Sequence, residues 1–120
     1  MPNKVLIIDD DRTMVSLLRT LLEMDGFEVA EIGNWGTILE TIRTEMPDLV
    51  IMDYFLPQVE GLDLVVSMRK DPQFADVRII MTSGMDMSEQ CLAAGVDDFL
   101  LKPYTPDQLS ASIHANLMSP

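Results

Sequence analysis

Short runs of Val, Ile, Leu, Met and Phe, almost free of polar residues, constrain this chain more than any other feature: Val5 to Ile8, Leu49 to Met52, Val77 to Met81 and Phe99 to Leu101. A strand wet on one face alternates apolar and polar side chains, whereas a strand covered on both faces stays apolar throughout. These runs therefore read as buried strands of a parallel sheet. A fifth, Phe27 to Ile32, is more mixed and is expected at a sheet edge.

Segments of helical period separate the runs. Met14, Leu17, Leu18, Leu21 and Leu22 predict the apolar stripe of a first helix that stops near Asp25-Gly26. Ile38, Leu39, Ile42 and Met46 predict a second, ended by Pro47, and Leu62, Val65, Val66 and Met68 a third, opened by Gly61 and closed by Asp71-Pro72. A short fourth carries Cys91, Leu92 and Ala94 before Gly95. The last has the clearest start, because Thr105-Pro106-Asp107-Gln108 combines an N-cap threonine, a proline at the first helical position and a capping-box glutamine, with Leu109, Ile113 and Leu117 facing inward. A βα order repeated without a long hairpin predicts right-handed crossovers and a doubly wound α/β sheet, with helices on both faces and ligands beyond the carboxyl ends of the strands.

A chain of 120 residues, 48% hydrophobic, supports one core, so residues 1–120 are expected to form a single domain. The net charge of −12 opposes direct binding to nucleic acid or an anionic membrane. One cysteine, Cys91, cannot form an internal disulfide, no leader precedes Val5, and no apolar stretch is long enough to span a bilayer. The expectation is a soluble domain of the reducing cytosol.

The residues following the strands carry the chemistry: Asp9-Asp10-Asp11, Asp53, Thr82-Ser83 and Lys102-Pro103, all on one rim. Taken singly, Asp10 and Asp11 read as turn and N-cap residues, Asp53 as a strand-end turn, Thr82 and Ser83 as loop hydroxyls and Lys102 as a surface charge. Together they read differently, except Asp11, which remains a cap. If the first and third strands are neighbours, Asp9, Asp10 and Asp53 converge, and three such carboxylates repel one another unless a cation or a proton sits among them. Mg2+ takes one or two carboxylates, keeps waters and accepts phosphate oxygens, which suits an open cluster. Lys102 and the Thr82 hydroxyl can each reach a phosphoryl oxygen, so the group describes a site that makes and holds an aspartyl phosphate.

The stretches Val5-Leu6-Ile7-Ile8-Asp9-Asp10, Asp53-Tyr54-Phe55-Leu56-Pro57 with Gly61, Ile80-Met81-Thr82-Ser83, and Ala94 through Pro103 resemble the response-regulator receiver domains of two-component signalling, which are CheY-like. The resemblance covers nearly the whole chain. It implies a flavodoxin-like (βα)5 fold with strand order 2-1-3-4-5, Asp53 as phosphoacceptor, Asp9 and Asp10 as the metal-binding pair, and the Phe55 backbone carbonyl as a further Mg2+ ligand. Asp10 would ligate directly and Asp9 mainly through water. It further implies Thr82 as the switch hydroxyl, Lys102 as the phosphate-binding lysine, a Lys102-Pro103 bond often cis, and Phe99 as the switch aromatic that moves inward on activation. Expected partners are a sensor histidine kinase or histidine phosphotransfer protein and an effector domain or target protein, read through the fourth helix, fifth strand and fifth helix. A phosphorylation-dependent homodimer is compatible with the resemblance. The domain is expected to catalyse only its own phosphoryl transfer and slow dephosphorylation. Phe55 stands where the family more often has a polar group, and Gly84 stands two residues after Thr82. Both positions tune attack of water on the acyl phosphate, and a bulky Phe55 is expected to shield it.

Alternatives remain at this level. Asp9-Asp10-Asp11-Arg12-Thr13 also satisfies the Asp-x-Asp-x-Thr pattern of haloacid-dehalogenase-like phosphatases, in which Asp9 would be the nucleophile, although that leaves Asp53 and Lys102-Pro103 unexplained. A flavodoxin-like cofactor binder would want Gly, Ser and Thr after the first strand. A degenerate receiver would bind partners without phosphorylation. A stand-alone regulator and one joined to an effector domain fit equally. Asp97 and Asp98 are expected to form a solvated turn, His114 to lie on the surface and Cys91 to be a small buried hydrophobe. Most of the ten methionines should fill the core, with Met85 and Met87 available to a partner.

Overall fold

The structure, a computed structural model, describes residues 3–117. Its strands are β1 (Lys4–Ile8), β2 (Glu28–Glu31), β3 (Leu49–Asp53), β4 (Arg78–Ser83) and β5 (Asp98–Leu101), interleaved with α1 (Arg12–Met24), α2 (Ile38–Glu45), α3 (Gly61–Lys70), α4 (Ser88–Ala94) and α5 (Pro106–Leu117). All strand pairs are parallel, in the order β2-β1-β3-β4-β5 expected from the resemblance.

Successive side chains of a strand point to opposite faces, and the core divides accordingly. Leu6, Ile8, Val50, Met52, Ile79 and Met81 face the side covered by α2, α3 and α4, whereas Val5, Ile7, Leu49, Ile51 and Ile80 face α1 and α5. Each fully buried side chain of this size contributes about 1.5–3 kcal/mol. The Asp11 carboxylate caps α1 by accepting the Thr13 and Met14 amides at 3.1 and 3.2 Å. The capping box closes as its residues predict, with Gln108 donating its amide to Thr105 Oγ1 at 3.0 Å and the Thr105 amide reaching Gln108 Oε1 at 2.8 Å.

Several predicted inward residues face outward instead. In α1 the buried line is Val15, Leu18 and Leu22, so Leu17, one residue before Leu18 and about 100° round the helix, is 52% exposed. In α3 Leu64 joins Val65 and Met68, and Val66 turns to solvent. In α4 only Cys91 is buried, and Leu92 is half exposed. Met46 leaves the α2 stripe because Pro47 disfavours helical backbone before it; it adopts φ 49° and is 78% exposed. The fifth strand is only partly buried, since an outer position leaves it a single neighbour, β4. Met24, Met46 and Met85 are exposed, whereas Met52, Met68 and Met81 fill the core and Met87 packs partly against it.

Asp97 and Asp98 do more than form a solvated turn, because Asp97, exposed at the bend before β5, and Asp98, the first residue of that strand, both have engaged carboxylates. The Asp97 carboxylate accepts the Ile79 amide at 2.8 Å and Arg69 Nη2 at 2.9 Å, and Asp98 opens β5 and accepts the Ser112 hydroxyl of α5. Arg69 also donates to the carbonyls of Gly95, Phe74, Ala75 and Val77, tying the end of α3 to both turns at the amino ends of β4 and β5. Gly95, with φ +112°, lies against this side chain, and a Cβ there would meet Arg69 Cγ at 3.0 Å. His114 is on the surface as expected, 3.1 Å from Asp25 and tilted against Phe27.

Candidate functional site

Parallel strands in register end together, so residues far apart in sequence meet at the carboxyl rim. Ile8 pairs with Met52 and Asp53 with Thr82, which places Asp9 and Asp10 beside Asp53. Carboxylate oxygens of Asp9, Asp10 and Asp53 all lie within 4.8 Å of one another. From the end of β5, Lys102 Nζ reaches across to Asp9 Oδ2 at 3.1 Å and to Asp53 Oδ2 at 3.6 Å. Its backbone amide is held by the Ser83 carbonyl at 2.7 Å, and the following bond to Pro103 is cis.

The three carboxylates differ in environment. Asp9 is buried and both its oxygens are engaged, one by the Asp11 amide at 2.9 Å and the other by Lys102. Asp10 is exposed. Asp53 has a side chain 13% exposed, and burial raises its carboxyl above the ordinary range. Lys102 pulls in the opposite direction, Asp9 adds repulsion, the Phe55 backbone amide favours the anion and Asp10 opposes it. The net effect is upward. An all-oxygen donor set with one open member fits a hard divalent cation, and Lys102 supplies the positive charge the cluster otherwise lacks.

Thr82 is 1% exposed at the end of β4. Phe99 lies within β5, pairs in register with Met81 and packs partly buried against the core on the α4 side. Phe55 projects from the loop after β3, 54% exposed, with its ring edge-on to Tyr54 at 4.8 Å. Gly61 suits the point where α3 begins against this loop, because a Cβ would crowd the Tyr54 carbonyl at 3.0 Å.

Tyr104 was not singled out by the sequence reasoning. It follows Lys102-Pro103, its hydroxyl lies 3.8 Å from Met14 Sδ, and burial, with the charges of Asp9 and Asp53, pushes its phenol up to about 12. Its place directly after the lysine was the available signal. The Arg69 to Asp97 pair had none, being 28 positions apart.

This sheet order and this acidic carboxyl rim are those of CheY-like domains. The chain belongs to the family of response regulator receiver domains, whose family model matches residues 5–114. The DNA-binding response regulator MtrA of Mycolicibacterium paratuberculosis is 34% identical over 120 residues, 98% of this chain and 52% of MtrA. The N-terminal domain of the nisin resistance regulator NsrR, a lantibiotic response regulator, superposes with a TM-score of 0.86 at 34% identity, covering 98% of this chain and 99% of that one. The receiver domain of the sensor histidine kinase PA1611 from Pseudomonas aeruginosa PAO1, solved with magnesium in its active-site cleft, superposes with a TM-score of 0.87 at 20% identity, covering 99% and 100%. The chain spans about half the length of the curated relatives it matches. Receiver domains are signalling modules that take their input from histidine kinases and regulate effectors. No helix among the described residues is long and apolar enough to cross a membrane.

Proposed function

We propose that this domain is switched by phosphorylation of Asp53. The observation that carries the reading is the position of Lys102 Nζ, 3.1 Å from Asp9 and 3.6 Å from Asp53, on a rim where three carboxylates converge. Asp9, Asp10, Asp53 and the Phe55 carbonyl would hold Mg2+, since the donor set fits, and the PA1611 receiver domain was solved with magnesium coordinated in its active-site cleft. When bound, the ion supplies positive charge that screens the repulsion between a carboxylate and an anionic phosphoryl group.

The chain's own groups do the rest. An Asp53 carboxylate oxygen attacks the phosphorus of a phosphohistidine on a sensor kinase or phosphotransfer protein. An O–P bond forms as the N–P bond breaks, and the leaving imidazole nitrogen keeps the electron pair and takes a proton. Lys102 turns from Asp53 to one phosphoryl oxygen, and the Thr82 hydroxyl donates to another. Movement of Thr82 opens space into which Phe99 rotates, shifting a balance between two arrangements of the α4, β5 and α5 face. Residues 1–120 then act as one receiver unit in the cytoplasm, signalling to an effector or target and not catalysing turnover of an external substrate. Its net charge of −12 leaves any DNA contact to an attached domain, in keeping with the resemblance to MtrA, a DNA-binding response regulator, and phosphorylation-dependent homodimerisation is one route of output.

Attack by Asp9, the phosphatase alternative, is disfavoured because its side chain is 5% exposed and both oxygens are engaged. Incubation with Mg2+ and a small phosphodonor, followed by intact-mass measurement and trapping of the acyl phosphate, tests the reading. Label on Asp53 supports it. Label on Asp9 with rapid release of phosphate from esters indicates the phosphatase, and no label from either a small donor or a kinase indicates a degenerate receiver.

A further inference from the structure

At the amino end of the sheet, away from the carboxylate rim, a cavity of about 750 Å3 opens between the end of α2, the turn before β4 and the end of α5. That size falls within the range of small-ligand pockets, about 300–1,000 Å3. Its lining is mostly apolar, with the buried Ile42 and Phe74 accompanied by Val77 and the exposed Met46.

Two arginines also line it, and they are the least committed of the ion-paired cations. Lys4, Arg12, Arg19, Arg69 and Lys102 each hold a carboxylate oxygen within 3.2 Å. Arg43 and Arg78 approach theirs, Asp71 and Asp97, only to 3.9 Å, beyond hydrogen-bond range, and their side chains are 49% and 38% exposed. Arg43 is nonetheless oriented: its guanidinium lies 5.5 Å over the Phe74 ring and its Nε donates to Gln73 at 3.1 Å. Two aspartates complete the charged lining. Asp48 already accepts the Lys4 amide at 2.7 Å, and Asp76 is exposed. Two cations and two anions leave the lining without net charge, so an anion is favoured only locally, by the two loosely paired guanidiniums, and the −12 carried by the protein opposes any ligand of higher negative charge.

We propose that this hollow binds a small amphipathic monoanion, with an aromatic or aliphatic body on Ile42, Phe74 and Val77 and one carboxylate or sulfonate on Arg43 and Arg78. The site is separate from the phosphorylation rim and does not depend on the reading of that rim.

The probe is anilinonaphthalene sulfonate, compared with phenylnaphthylamine, which has the same rings and no charge, by amide chemical-shift mapping and fluorescence titration of the full chain. The sulfonate should shift the amides of Arg43, Met46, Gln73 and Val77 saturably and bind about tenfold more tightly than the neutral probe, the increment of one charge-assisted contact. Arg43→Met with Arg78→Met should remove that advantage and leave the neutral probe's affinity unchanged, and Arg12→Met should change neither. Decanoate should displace the sulfonate. Shifts confined to other surfaces, equal affinity for the two probes, or unchanged sulfonate affinity in the double variant would overturn the proposal. If the double variant does not fold, the wild-type comparison of charged and neutral probes decides alone.

Discussion

Asp53 and Thr82 are register partners at the carboxyl ends of β3 and β4, and the Tyr54 amide is bonded to the Thr82 carbonyl at 2.8 Å. A carboxylate and a hydroxyl 29 positions apart in sequence are thereby held on adjacent strands by the sheet's own hydrogen bonds. A group added to Asp53 lies within reach of Thr82 without any loop having to close.

The raised carboxyl of Asp53 makes a stability prediction. A carboxylate whose folded pKa lies above its unfolded value favours folding when protonated, and that contribution is lost as pH rises through the folded pKa. Asp53→Asn should therefore be more stable than wild type at neutral pH without metal. The gap should close as pH falls toward the unfolded value of 3.8, as read by urea unfolding. A gap that widens on acidification contradicts the assignment.

Magnesium should stabilise wild type more than the variants that lose one of its candidate ligands. At a hundredfold excess over its Kd, a bound ion adds about 2.7 kcal/mol to the folded state. Thermal melts of wild type should rise with Mg2+, and those of Asp53→Asn and Asp10→Asn should rise much less.

Lys102→Met should reduce Asp53 labelling by a small phosphodonor about a hundredfold, on the scale of losing one donor to a developing charge. Single-turnover labelling measures this. Without metal the variant should also melt at lower temperature, because three facing carboxylates lose their nearest cation.

Phe55 is half exposed two residues beyond Asp53, where its ring can limit the approach of water. Phe55→Asn should shorten the phosphorylated lifetime about tenfold, equivalent to about 1.4 kcal/mol in the hydrolysis barrier. A lifetime unchanged in this variant, followed by loss of the acyl phosphate with time, would remove Phe55 from the account.

Arg69→Met should destabilise the domain by about 2 kcal/mol in urea unfolding, since it takes one donor from Asp97 and removes donors from four carbonyls, three of them in part-buried contacts. Arg69→Lys should recover little, because an ammonium cannot span that set of acceptors.

The five strands and the residues that follow them were legible in the sequence. A strand covered on both faces must be continuously apolar, so the first polar residue after each run marks the rim, and Asp9, Asp53 and Lys102 stand at or just beyond those ends. Local chemistry likewise determined the caps at Asp11 and Thr105, which involve contacts no more than three residues apart. Tertiary structure decided what depends on distant partners: which residue of an apolar helix segment faces the sheet, as with Leu17 and Val66, and which groups an exposed acid such as Asp97 holds. It also decided that Lys102 reaches both Asp9 and Asp53, and that Arg43 and Arg78 share one hollow. Periodicity specifies what a segment can bury, but its orientation and its partners follow only from the surfaces that other segments bring against it.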